Sequence, residues 1–229
     1  PTAASHFWPE YPELLAGKDL LQGGTWMGMT RCGRFAAVTN YRDPSHTPEA
    51  PRSRGELPLQ YLTGSQTPED FLSDIAAQAQ DYAGFNLLVG GHDSLWHYTN
   101  SDTKGPQNLP PGIYGLSNAT LDTPWPKVVL GKAKLLALLE TGPISHRALA
   151  DVVSSQQLAD QNSLIAQGLD STMESTLSPQ FIVTDTYGTR SSTTLWFDAQ
   201  AQASWLELSF NAQGVLREVQ HKEMRVSDR

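Results

Sequence analysis

The chain is 229 residues long, 39% hydrophobic and 17% charged, with a formal net charge of −8. That length allows one large domain or two small ones, and the acidic balance excludes a general binder of nucleic acid or anionic membrane, which needs a basic footprint. No apolar run approaches the roughly 18–20 residues of a membrane span; the richest, Leu135–Leu139, is core-sized, so a soluble globular protein is expected.

In chain order, Gly23-Gly24 opens a strand predicted over Thr25–Thr30, Cys32-Gly33 turns it, and Phe35–Asn40 returns as its hairpin partner. Residues 41–58 carry four prolines and read as a long surface loop, a candidate docking segment. Thr67-Pro68-Glu69-Asp70 is a strong helix start: a threonine N-cap, proline at the first position and acids in the first turn. Phe71, Leu72, Ile75, Ala76, Ala79 and Tyr82 then share a face, and Gly84 ends the helix.

A second hairpin is predicted over Phe85–Val89 and Leu95–Thr99, followed by a loop over 101–112 and a strand over 113–117. After Pro126 a helix is predicted to bury Val128, Val129, Leu135, Leu136 and Leu139, and another begins near Ser145, with a polar continuation to about Ile165. Strands follow at Phe181–Thr184, Ser192–Phe197, Trp205–Phe210 and Val215–Gln220, with a turn at 211–214. Strands at both ends with helices between them predict an α+β fold of antiparallel sheets packed with helices. There is no GxGxxG, P-loop, repeat or heptad run.

The chemistry-bearing residues gather at two strand ends. Asn40, within Thr39-Asn40-Tyr41-Arg42, and Asn118, within Ser117-Asn118-Ala119, each offer an amide where a strand finishes. Arg31, Arg34, Arg42, Arg52 and Arg54 form a local basic patch in an acidic chain, suited to carboxylate or phosphate. Trp26 and Trp125 are candidate walls for a flat or apolar ligand. The six histidines show no metal-ligand spacing, and Asp122 reads as a turn or cap group. Cys32, the one cysteine, excludes an intrachain disulfide and permits a reducing compartment. With arginines on both sides, it reads either as a reactive thiol or as an incidental turn residue.

Several segments together carry a resemblance: His6-Phe7-Trp8, Gly23-Gly24-Thr25-Trp26-Met27-Gly28, Phe35–Arg42, Arg52–Leu57, Phe85–Leu88, Gly112–Lys127 and Tyr187–Thr193. In their order along nearly the whole chain they resemble the NRDE family, also called the transport and Golgi organisation family. The resemblance implies a single domain over 1–229 with an N-terminal-nucleophile-hydrolase-like αββα sandwich, two antiparallel sheets between helix layers. Family members begin Met-Cys, followed by a strand and the Asn-Arg-Asp-Glu signature. This chain begins at Pro1, so an upstream piece is expected to carry those features.

By analogy with amidases of that fold, Asn40 and Asn118 match oxyanion-side asparagines, and Arg190 in Gly-Thr-Arg-Ser-Ser matches an active-site arginine. The family's members are implicated in moving haem and in handling acyl-CoA-type lipids, both large apolar bodies with anionic groups. The leading expectation is therefore a cytoplasmic protein that binds and traffics haem or a related amphipathic anionic ligand, with no required cofactor and haem as cargo. Tyr41, Arg42, Arg54, Trp26 and Trp125 are its expected ligand contacts, and neither nucleic acid nor integral membrane is an expected partner. The alternative is a hydrolase of amide C–N bonds whose cysteine nucleophile lies upstream of this chain.

Overall fold

The computed structural model describes residues 1–42, 50–167, 169 and 171–227. Most of the first half of the chain forms a seven-stranded antiparallel meander. Its strands are β1 (Thr2–Trp8), β2 (Tyr11–Asp19), β3 (Met27–Thr30), β4 (Phe35–Asn40), β5 (Phe85–Gly90), β6 (Leu95–Thr99) and β7 (Gln107–Leu109), each beside the next in sequence. Alternation along the strands sorts side chains to two faces. Leu14, Ala16, Ala36, Leu87 and Val89 meet two helices, α1 (Glu56–Thr63) and α2 (Pro68–Ala77), through Leu57, Tyr61, Leu62, Phe71, Leu72 and Ile75.

Helix α2 starts as its sequence predicts: Thr67 is the N-cap, accepting the Asp70 N–H at 3.1 Å, and Pro68 follows. Thr67→Ala is expected to lower stability by about 1 kcal/mol, read as a shift in the urea midpoint with an unchanged slope. The helix stops at Ala77 rather than at Gly84, and a short 3₁₀ turn over Ala79–Asp81 follows. Asn100 anchors that turn by donating to the Ala79 and Tyr82 carbonyls. The predicted loop over 41–58 is also shorter than expected, because α1 begins at Glu56; Pro58 sits in its first turn, where a missing N–H costs nothing. Residues 43–49 of that loop lie outside the described residues.

The last three strands, β8 (Ser191–Phe197), β9 (Gln202–Phe210) and β10 (Leu216–Arg225), make a separate antiparallel sheet in the order β10-β9-β8. Its turn over 211–214 closes on Gly214, whose φ of 72° suits glycine. One face of this sheet presents Leu195, Ala203, Trp205 and Met224 to Phe7, Leu15 and Met29 of the larger sheet. The contact is stitched by polar bonds: the Trp205 Nε1–H donates to Ser5 Oγ at 3.0 Å, and the Ser5 N–H donates to Glu207 at 2.8 Å. Burial pushes the Glu207 carboxyl above its ordinary value.

The opposite face of the small sheet takes α4 (His146–Val152), which Ser145 caps. The His146 ring stacks on Trp196 with centroids 4.0 Å apart, and its nitrogens lie 2.7 Å from Thr194 Oγ1 and 2.8 Å from Ser204 Oγ. Two antiparallel sheets packed with helices make this a mixed α+β protein. Among the described residues no helix is long and apolar enough to cross a membrane.

Further predicted elements differ from the structure, the loop over 101–112 among them, since it contains β7. Residues 113–117 form no strand; their backbone bonds go to side chains and turns instead of a ladder. The helix after Trp125, α3 (Pro126–Thr141), buries Val128, but Val129, Leu136 and Leu139 are about half exposed, since α3 touches α4 along only part of its surface. The polar continuation after α4 is not one helix; α5 (Gln161–Ile165) and α6 (Thr172–Thr176) follow separately, and Phe181–Thr184 makes one bridge, Val183 to Gly188.

Candidate functional site

The small sheet covers the inner face of the large one at β1–β3. Toward the end of β4 and the start of β5 that face turns polar, with Thr39 opposite Asn86 in the register. Asn86 is fully buried and makes three bonds: its amide donates to Thr39 Oγ1 at 3.2 Å and to the Ala119 carbonyl at 2.9 Å, and its oxygen meets His97 Nε2 at 3.3 Å. Thr39 Oγ1 in turn donates to the Ser117 carbonyl at 2.8 Å. Buried polar groups demand partners, and here the partners are the carbonyls of 117–119. That demand is what holds this segment against the sheet. Burial keeps His97 below its ordinary imidazole value.

The segment then closes on itself. Asp122, at φ 60°, accepts the Gly115 N–H at 2.7 Å and pairs with Lys132 at 2.7 Å. With 117–119 fixed, Asn118 is clamped to the end of β4: its Nδ2 donates to the Asn40 carbonyl at 2.9 Å, and the Arg42 N–H donates to the Asn118 carbonyl at 2.7 Å. The Tyr41 N–H and the Arg54 guanidinium both donate to the Gly84 carbonyl at 2.9 Å.

A cleft of about 530 Å³ opens beside this junction. Asn40, Tyr41, Arg42, Arg54, Asn118 and Trp125 all line it, so six of the eight residues singled out in the sequence meet in one place. Trp26 and Arg190 are not among its lining. The Trp26 ring lies over Gly17 of β2, where any Cβ would collide with it. Arg190 is exposed just before β8, and its carbonyl accepts the Phe210 N–H. The predicted basic patch also divides. Arg31 stacks on Phe7, Arg34 donates to the Tyr61 carbonyl and Arg52 pairs with Glu56, leaving Arg42 and Arg54 at the cleft.

Other lining residues carried no sequence signal that placed them here. Lys127, at the second position of α3, brings a third cation; its Nζ donates to the Leu177 carbonyl at 2.8 Å. Burial, and then the nearby Arg42, hold this amine below the ordinary lysine value, and burial lowers Arg54 likewise. Glu174 stands 3.6 Å from Arg42. Its carboxylate is held low first by the Ser171 N–H, in a capping box legible as Ser-x-x-Glu. Apolar walls come from Trp125, Leu164, Leu169, Met173, Leu177 and Ile182.

A second cleft of about 480 Å³ shares Asn118, Lys127 and Ile182 with the first. Gln180 lines it, and its buried Oε1 has no hydrogen-bond partner among the described residues. Among the described residues no group of three or more His, Cys, Asp or Glu is placed to hold a metal ion; His46 lies outside them. The arrangement is a strongly cationic mouth on an apolar wall.

The family model described as Transport and Golgi organisation 2 matches residues 1–212. The Transport and Golgi organization protein 2 homolog of Bos taurus is 35% identical over 228 residues, covering 91% of this chain and 81% of that protein. The homologs of Mus musculus and Homo sapiens are each 32% identical, with the same coverage of both chains. Spanning nearly all of the sheets, helices and cleft described above, these matches show that the chain belongs to the Transport and Golgi organisation 2 family.

Proposed function

We propose that this protein binds and hands on an amphipathic anionic ligand, haem or an acyl-CoA-type lipid, in the cleft where β4, the 117–127 segment and α6 meet. The observation that carries the reading is the gathering of Arg42, Arg54 and Lys127 around one apolar-walled cleft, in a chain of net charge −8. Only one carboxylate, that of Glu174, lines it against them among the described residues. Propionate or phosphate groups suit the cations, and a macrocycle or acyl body suits Trp125, Leu164, Met173 and Leu177. The transport in the relatives' names agrees with a carrier. We place the exchange in the cytoplasm, with the ligand as cargo rather than resident cofactor.

The scaffold fits an N-terminal-nucleophile-hydrolase-like αββα sandwich: α1 and α2 pack outside the large sheet, α4 outside the small one. Hydrolysis of an amide by an upstream cysteine finds less support at the site. The Asn118 amide group is already given to the Asn40 carbonyl, and the exposed Arg190 does not line the cleft. Binding is tested by titrating haem and, separately, palmitoyl-CoA, following tryptophan quenching. Saturable binding that weakens with added salt is expected for at least one of them. No saturable binding of either ligand overturns the reading.

A further inference from the structure

We propose that Lys127 is a reactive amine that accepts acyl groups from thioesters held in the cleft. Lys127 is common to the linings of three adjoining clefts, of about 530, 480 and 210 Å³. Its backbone is pinned at both sides: Trp125 leads into α3, and the Lys127 carbonyl accepts the Gln180 amide at 3.1 Å. The Nζ is therefore presented from a rigid position.

The surroundings disfavour the ammonium. Lys18 and Lys132 pair with Glu10 and Asp122, but Lys127 has no ion-pair partner among the described residues. Its hydrogen bond goes to the uncharged Leu177 carbonyl. Arg42 faces it as a like charge, the nearby Glu174 is paired to that same arginine, and Arg54 lines the same cleft. The N-terminal end of α3 adds a positive dipole end. Burial acts in the same direction. An amine so placed keeps a larger neutral, nucleophilic fraction than a surface lysine.

The electrophile follows from the proposed ligand, and the inference rests on that reading. With the acyl chain on the apolar wall, the thioester carbonyl at its head lies in the cleft that Lys127 also lines. The neutral amine attacks that carbonyl, a C–N bond forms, the C–S bond breaks, and the sulfur leaves and takes up the proton the amine releases. The products are an Nε-acyl-lysine and a free thiol.

The test incubates the full chain with octanoyl-CoA at near-neutral pH, followed by intact mass and peptide mapping. One acyl group on Lys127, accumulating about tenfold faster than on surface Lys104, is expected, as is loss of that adduct in Lys127→Arg. A neutral aromatic aldehyde trapped with borohydride reads the amine without relying on ligand binding and should favour Lys127 equally. Saturable octanoyl-CoA binding with acylation spread evenly over the lysines overturns the acceptor role and leaves the carrier reading standing. Selective aldehyde trapping without octanoyl-CoA binding or acylation overturns the acyl-acceptor role and counts against the acyl-CoA form of the carrier reading.

Discussion

Asn86→Ala is expected to lower folding stability by about 2–4 kcal/mol and to weaken ligand binding as well. The side chain is fully buried and reaches Thr39, the Ala119 carbonyl and His97. Truncation removes all of those bonds and leaves a void where the sheet meets the 117–119 segment. The Ala119 carbonyl and the His97 ring then lose a partner in a place water reaches poorly, the costly form of a lost hydrogen bond. Asn118 belongs to the freed segment and is what ties Asn40 and Arg42 together at the cleft. Urea unfolding measures the first effect and ligand titration the second. A midpoint within about 0.5 kcal/mol of the native protein would show that the segment is held by something other than this network.

Arg42→Ala is expected to raise the Kd for an anionic amphipathic ligand about 30-fold, some 2 kcal/mol. Its main-chain N–H already bonds the Asn118 carbonyl, so truncating the side chain spares the junction itself. The loss acts twice on the ligand. One cation disappears, and Glu174, formerly beside the Arg42 guanidinium, is left as a negative charge lining the same cleft. Arg42→Lys should recover part of the affinity, whereas Arg31→Ala should leave it unchanged, because Arg31 lies on the Phe7 ring and does not line the cleft. Salt titration should show a shallower dependence for Arg42→Ala than for the native chain. Equal affinity in Arg42→Ala would remove this cation from the binding argument. Removing Arg42 also relieves one of the two causes that hold Lys127 low, so acylation at Lys127 should slow.

Local pattern carries far in some parts of this chain and misleads in others. The hairpins of β3–β4 and β5–β6, the capped start of α2 and the β9–β10 turn all follow from neighbours a few residues apart. Strand β2 gives no alternation to read, because Leu14, Leu15, Ala16 and Gly17 are all buried where helices cover one face and the second sheet the other. Residues 113–117 have strand-like composition, yet the Ser117 carbonyl is answered by the Thr39 side chain and the Gly115 carbonyl by the Asp122 N–H, a relation composition cannot express. The apolar stripe of α3 is real in sequence, but Val128 alone in it is buried.

The amino-acid sequence alone determined the α+β character, the strand-end position of Asn40 and, through its resemblance, the family, since these rest on local alternation, caps and motifs. Only the tertiary structure decided which charges share a cleft: Arg42, Arg54, Lys127 and Glu174 converge, while Arg31, Arg34, Arg52 and Arg190 do not line it. Backbone preferences act between near neighbours along the chain, whereas the field at a site depends on distance through space, which the packing of the sheets and helices sets.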